Sequence, residues 1–172
     1  MSEEHKKEAP KIVNCKIITV SDTRTKETDK SGQLMKRYLA ENHHHVNAYD
    51  IVKDERTEIK QAIDEALKQK DVEVILINGG TGIAKRDVTI EVVESLLDKV
   101  MPGFGEIFRV LSFQEDIGSA AILSRATAGV VQNKVVFATP GSSGAVKLAM
   151  ERLIIPELGH VMREIKKDLS RR

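Results

Sequence analysis

Apolar residues recur along this chain with two periods, and each change of period marks a new element. Lys16-Ile17-Ile18-Thr19-Val20 is a short β-branched run, the pattern of a buried strand. A polar turn over 21–25 and a charged loop to Lys30 follow it. Leu34, Met35, Tyr38 and Leu39 then fall on one side of a predicted helix that Ser31 is placed to cap. Residues 46–52 give a second strand. Thr57 stands at the cap of a second predicted helix, whose buried stripe is Ile59, Ala62, Ile63, Ala66 and Leu67. Val74-Ile75-Leu76-Ile77 is a third strand, and residues 89–97 return to helical spacing. Beyond a break at 101–105 the pattern blurs. It is helical through Ile107, Phe108, Val110 and Leu111, then small and aliphatic over 117–126. Residues 129–138 read as two short strands around a Gln132-Asn133 turn. A further helix runs from 145 to 155, and Pro156 breaks it or starts another.

Strands alternating with helices predict an α/β fold, a three-layer α/β/α sandwich around a mostly parallel central sheet. Residues 13–166 form the expected single domain, between a mobile arm over 1–12 and a basic tail over 167–172. Parallel strands joined by helices send their exits to one edge. In a flavodoxin-like order the first and third strands are neighbours and ligands bind at the switch point between them. The loops after the first three strands, carrying Ser21, Asp22 and Arg24, Asp54, and residues 78–87, are therefore expected on one rim.

The chemistry concentrates in Asn78-Gly79-Gly80-Thr81-Gly82-Ile83-Ala84-Lys85-Arg86-Asp87. Glycines there let backbone approach a bound group closely, and the helix start that follows favours an anion such as phosphate. Thr139-Pro140-Gly141-Ser142-Ser143-Gly144 repeats the strand–glycine loop–helix arrangement. Neither loop has the Gly-Lys-Ser/Thr closure of a Walker loop, and Lys85 stands where a dinucleotide fingerprint needs its third glycine. Both loops also fit ordinary strand-to-helix connections. Asp87 suits a helix cap and Asp54 a turn. Together they also make a carboxylate pair able to hold Mg²⁺ beside substrate phosphates. Arg24, Lys85 and Arg86 are either charge-neutralising groups or solvated surface.

Composition narrows the classes. The chain has 172 residues, 41% hydrophobic and 31% charged, with a net charge of +1, which fits a globular domain and gives no broad nucleic-acid or membrane surface. Aromatic residues are 3% with no Trp, so platforms for stacking single-stranded bases are scarce. Cys15 has no internal disulfide partner, and no apolar run approaches the roughly 18 residues of a membrane span. The opening residues lack the apolar core of a signal peptide, so a cytoplasmic location is expected. His43-His44-His45 lacks ligand partners at metal spacing and reads as a polar loop. Ser142 and Ser143 lack the frame of a hydrolase nucleophile.

Gly79-Gly80-Thr81-Gly82, Arg86-Asp87-Val88-Thr89, Pro102-Gly103-Phe104-Gly105-Glu106, Ser124-Arg125-Ala126 and Pro140-Gly141-Ser142, in this order, resemble the MoaB/MogA family, which includes the molybdopterin-binding G domain of gephyrin. The resemblance runs from about Lys16 to Glu164, and Ile83-Ala84-Lys85-Arg86 is similar to the MoaB branch. It implies Mg-ATP-dependent adenylylation of molybdopterin, with release of pyrophosphate. Asp54 and Asp87 match the family's two functional aspartates and would hold Mg²⁺. Ser21, Asp22, Arg24, Gly79, Gly80, Thr81, Gly82, Arg86, Pro140, Gly141, Ser142, Ser143 and Gly144 would bind ATP and molybdopterin. A trimer or hexamer is implied, as is contact with the protein that inserts molybdate; a non-catalytic molybdopterin carrier is the other implied role. Asn78 stands where Thr is frequent in the family, and Ile90 where Pro is.

Overall fold

The structure, a computed structural model, describes residues 9–169. Residues 1–8 of the expected arm and 170–172 of the expected tail lie outside the described residues. The elements in chain order are β1 (Asn14–Val20), α1 (Lys30–Glu41), β2 (His45–Val52), α2 (Arg56–Lys68), β3 (Val74–Asn78), α3 (Thr89–Leu96), β4 (Lys99–Val100) and α4 (Pro102–Glu115). A 3-10 segment (Gly118–Leu123) follows, then β5 (Thr127–Val131), β6 (Lys134–Thr139), α5 (Ser143–Ala149), a π segment (Met150–Ile154) and α6 (Ile155–Lys166).

One six-stranded sheet has the order β2-β1-β3-β6-β5-β4. β2, β1, β3 and β6 are mutually parallel, while β5 runs antiparallel to β6 and to the two-residue edge strand β4. The expected neighbours, the first and third strands, are adjacent. Every residue of β3 is buried, as a central parallel strand covered on both faces requires. Its side chains alternate: Val74 and Leu76 join Met35 and Leu39 of α1, Phe108 of α4, Val146 of α5 and Leu158 of α6. Ile75 and Ile77 join Ile59 and Ile63 of α2 and Ile90 and Val93 of α3. These two clusters are the interfaces of the expected three layers. Burial drives this packing at about 25 cal/mol per Å² of apolar surface.

Several local expectations change. Asp29, not Ser31, caps α1, accepting the Gly32 N–H at 3.0 Å. α2 begins at Arg56 with Glu55 at its cap, and Thr57 lies inside the first turn. α4 starts at Pro102, where the ring fixes a helical φ and lacks only an N–H the first turn leaves unused, so the break at 101–105 is a helix start. Gln132 and Asn133 have φ of 48° and 62°, the left-handed pair a two-residue hairpin needs, which bears out the turn between β5 and β6. Of the two expectations for Pro156, the second holds: it starts the next helix. It sits in the first turn of α6, directly after the wider π turn, where its missing N–H cannot serve Arg152. At the other end of the chain, Pro10 lies against Gly159 of α6, where an added Cβ would meet its carbonyl at 2.8 Å. Among the described residues no helix is long and apolar enough to cross a membrane.

Candidate functional site at the carboxyl rim of the sheet

Because β1, β2, β3 and β6 are parallel, the loops that leave them open on one rim, and a cleft of about 590 Å³ lies there. A buried polar row lies one residue behind its lining, next to Val20, Gly79 and Pro140. Thr19, Asn78 and Thr139 are register partners and fully buried. Asn78 donates from Nδ2 to Thr19 Oγ1 at 2.9 Å, while Asn78 Oδ1 and Thr139 Oγ1 have no protein partner.

The first glycine loop turns out of β3 with φ of 94° at Gly79 and 65° at Gly80. A Cβ at Gly79 would stand 2.2 Å from the Val20 carbonyl oxygen, and one at Gly80 would stand 2.9 Å from Asp54 Oδ1. Only glycine fits these two close approaches. The loop's bonds are divided unevenly. Gly79 donates to the Thr139 carbonyl at 3.1 Å and the Gly80 carbonyl accepts from Thr89 at 3.0 Å. Carbonyls of Thr81, Gly82 and Asp87 accept from Arg125. The N–H groups of Gly80, Thr81 and Gly82 have no protein acceptor among the described residues. Backbone donors left over beside a helix start are what an anion oxygen needs.

Two carboxylates flank these donors. Asp87 does not cap α3: Val88 occupies that position, and Asp87 Oδ2 instead accepts the Ala84 N–H at 2.9 Å and closes the 84–87 turn. Asp54 donates its own N–H to Asp22 Oδ1 at 3.2 Å. Its carboxyl is held above the ordinary Asp range, first by burial and then by the negative charges of Asp22 and Asp87. This is a local excess of negative charge, and it suits a divalent cation held by two carboxylates and completed by substrate phosphates. Among the described residues no group of three or more His, Cys, Asp or Glu could hold a metal alone. His44 is committed elsewhere, accepting the Val13 N–H at 3.2 Å near the start of β2, the end of that strand away from the cleft.

The cleft is lined by Ser21, Arg24, Asp54, Gly79, Gly80, Thr81, Gly82, Asp87, Pro140, Gly141 and Ser142 among the sequence candidates. Ser21 Oγ accepts the N–H groups of Thr23 and Arg24, at 3.2 and 3.1 Å, and so shapes the first loop. Arg24 reaches across to the Gly141 carbonyl at 2.9 Å and to buried Asp29 at 3.4 Å. Five candidates do not join the lining. Asp22 and Arg86 grip each other, Nε to Oδ2 and Nη2 to Oδ1 both at 2.9 Å, with Glu55 completing the pair at 3.0 Å. That bond holds the Asp22 carboxyl below its ordinary range. Ser143 and Gly144 form the first turn of α5, where Gly144 lies behind Asp116. Lys85 is exposed and likewise outside the lining. Cys15 is fully buried within β1, where burial pushes its thiol up to about 12, an unreactive state.

One wall was not read from the sequence. Ser112 of α4 and Asp116 at its C-cap, one turn apart, and Ile117, Ala120, Leu123 and Ser124 after them, also line the cleft. A polar pair at i and i+4 was the available signal, Ser112 being almost fully buried.

A family model described as a probable molybdopterin binding domain matches residues 16–160. The chain belongs to the MoaB/MogA molybdopterin-binding family. It is 64% identical over 166 residues to the molybdenum cofactor biosynthesis protein B of Bacillus subtilis, covering 96% of this chain and 98% of that one. A crystal structure of a molybdenum cofactor biosynthesis protein B superimposes with a TM-score of 0.90 at 59% identity, over 93% of this chain and 99% of the other. The tungsten cofactor synthesizing protein MoaB from Pyrococcus furiosus gives 0.82 at 40% identity, over 92% and 99%. The family's match spans both glycine loops, both aspartates and the α4 wall.

Proposed function

We propose that this protein acts in molybdenum cofactor biosynthesis by transferring the adenylyl group of ATP to the phosphate of molybdopterin, releasing pyrophosphate. One observation carries the reading: three unpartnered backbone N–H groups and two flanking carboxylates share a cleft of about 590 Å³, large enough for a small-molecule substrate. The names of the relatives place them in the same pathway.

The residues divide the work. Gly80, Thr81 and Gly82 present donors to phosphate oxygens, and Arg24 adds a cation where the two glycine loops abut. Asp54 and Asp87 would hold Mg²⁺, which when bound neutralises the ATP phosphates and the leaving pyrophosphate. Gly141 and Ser142 shape the wall against which the second substrate lies. A molybdopterin phosphate oxygen forms the new bond to the α-phosphorus while the bond to the β-phosphate oxygen breaks. The bonding electrons leave with pyrophosphate, so the protein's task is alignment and charge neutralisation. Asp22 and Arg86 would act from the rim, by bracing Asp54 through its N–H, rather than by touching substrate.

An oligomer fits the same chain. Ile107, Val110 and Phe113 on α4, with Ile122 in the 3-10 segment, are large apolar residues left exposed close to the cleft. A trimer or hexamer that covers them is the expected state, and a monomer in light scattering would contradict it. Contact with a molybdate-insertion protein would follow release of the adenylylated product; no role for nucleic acid or membrane is assigned, and the expected compartment is the cytoplasm. Incubation with molybdopterin and Mg-ATP should yield adenylylated pterin and one pyrophosphate per transfer. Pterin binding without product would make the protein a carrier, and ATP loss without pterin would make it a hydrolase.

A further inference from the structure

The first glycine loop is held from behind by a residue that no cleft contact would reveal. Arg125 stands just before β5 and lines a second hollow of about 370 Å³, on the far side of the loop, not the cleft. Its Nε donates to the Thr81 carbonyl at 3.0 Å, and its Nη2 to the carbonyls of Gly82 at 2.6 Å and Asp87 at 3.3 Å. Nη1 is paired with Glu91 of α3, whose second oxygen lies 3.3 Å from Nη2. One guanidinium thus ties three backbone carbonyls to a helix.

A trans peptide points its C=O and N–H in opposite directions. Holding the Thr81 carbonyl toward Arg125 turns the Gly82 N–H away from it, and holding the Gly82 carbonyl does the same for Ile83. The Gly80 carbonyl, bonded to Thr89, completes the row by turning the Thr81 N–H. Glycines flank Thr81 on both sides, so these peptide planes rotate at little steric cost. Once released, the same planes can present carbonyl oxygens to the cleft, where they would repel an anion.

We propose that Arg125 is a positioning residue, fixing the 79–87 loop with its N–H groups toward the cleft and its carbonyls away. The planar fork does this because its donors diverge in one plane; a lysine ammonium is a single centre and cannot span the three carbonyls. The ligand part of this inference rests on the cleft being a phosphate site, whereas the loop part stands on the hydrogen bonds alone.

The test uses the full chain with Arg125→Lys and Arg125→Ala. Amide exchange read by mass spectrometry over residues 79–89 should quicken about tenfold in both variants, because the bonded amides of Ala84, Asp87 and Thr89 lose their frame. Exchange in β1 and β3 should stay at the wild-type rate. Free guanidinium ion should restore protection in Arg125→Ala, and Mg-ATP affinity measured by calorimetry should fall about tenfold in Arg125→Lys at an unchanged thermal midpoint. Wild-type exchange over 79–89 in Arg125→Lys would overturn the inference. If Arg125→Ala does not fold, the lysine variant decides alone. A wild-type protein that binds no Mg-ATP would defeat the phosphate reading of the cleft, and the exchange comparison would still decide the role of Arg125.

Discussion

The two glycine loops look alike in sequence and are set among different charged side chains. In the first, 79–87, the carbonyls are spoken for by Arg125 and Thr89 while the N–H groups of Gly80, Thr81 and Gly82 are left over. In the second, 140–144, the N–H groups of Gly141, Ser142, Ser143 and Gly144 likewise have no protein acceptor among the described residues. Ser142 Oγ accepts the Ala145 N–H at 3.2 Å, and the Gly141 carbonyl is taken by Arg24 and Ser31. The loops abut, since a Cβ on Gly141 would come within 3.0 Å of Gly79 Cα. The first is flanked by the carboxylates of Asp54 and Asp87, whereas the second is tied through its Gly141 carbonyl to Arg24 and Ser31. Neither glycine content nor free N–H groups separate them; the charged side chains beside each loop do.

The comparison is most easily broken at the cation. Asp87→Asn keeps the bond to Ala84 but removes the charge, so turnover should fall by roughly three orders of magnitude, equivalent to several kcal/mol of lost transition-state stabilisation. A matching loss of thermal stability would show that the turn, not the metal, was the residue's task. Next comes Gly80→Ala, which forces a side chain into φ of 65° against Asp54 and Thr89, a cost of about 1–3 kcal/mol. It should abolish Mg-ATP binding in calorimetry. Gly144→Ala in the other loop has ordinary backbone and meets only the Asp116 carboxylate, so it should bind Mg-ATP within a few-fold of wild type. Ser142→Ala removes a helix cap and should cost about 1 kcal/mol in denaturant unfolding with little change in turnover.

The smallest expected effect is on pH dependence. Burial and the neighbouring charges of Asp22 and Asp87 raise the Asp54 carboxyl in the folded state. A raised carboxyl contributes stability that is full below its unfolded value and is lost as pH rises through the folded one. At neutral pH the ionised group is therefore a penalty. Asp54→Asn should raise the thermal midpoint slightly at pH 7, with the difference closing in acid, while turnover is lost. A variant that melts earlier at pH 7 would contradict this charge balance.

The parallel core was legible because Ile17, Ile18 and the 74–77 run are aliphatic on both sides, a pattern set by burial on two faces. The hairpin was legible because Gln132-Asn133 is short, polar and tolerant of left-handed backbone. Caps differ where another residue competes: Asp29 is buried against Arg24 and takes the Gly32 N–H, while the equally buried Ser31 hydroxyl donates to the Gly141 carbonyl instead. Asp22 and Arg86 were read as binding groups because each has the right chemistry, but loops far apart in sequence bring them together, and no spacing rule reports that. The α4 wall escaped because Ile107, Val110 and Phe113 point outward, which blurs the helical period that would have shown which face carries Ser112 and Asp116. β4, two residues long, is too short for any period.

The difference between the two loops can be read from their own amides during a titration with Mg-ATP. The account predicts that the backbone amide resonances of Gly80, Thr81 and Gly82 shift most, with Gly144 and Ala145 nearly still. Large shifts confined to Gly141–Ala145, with the first loop unmoved, would contradict it.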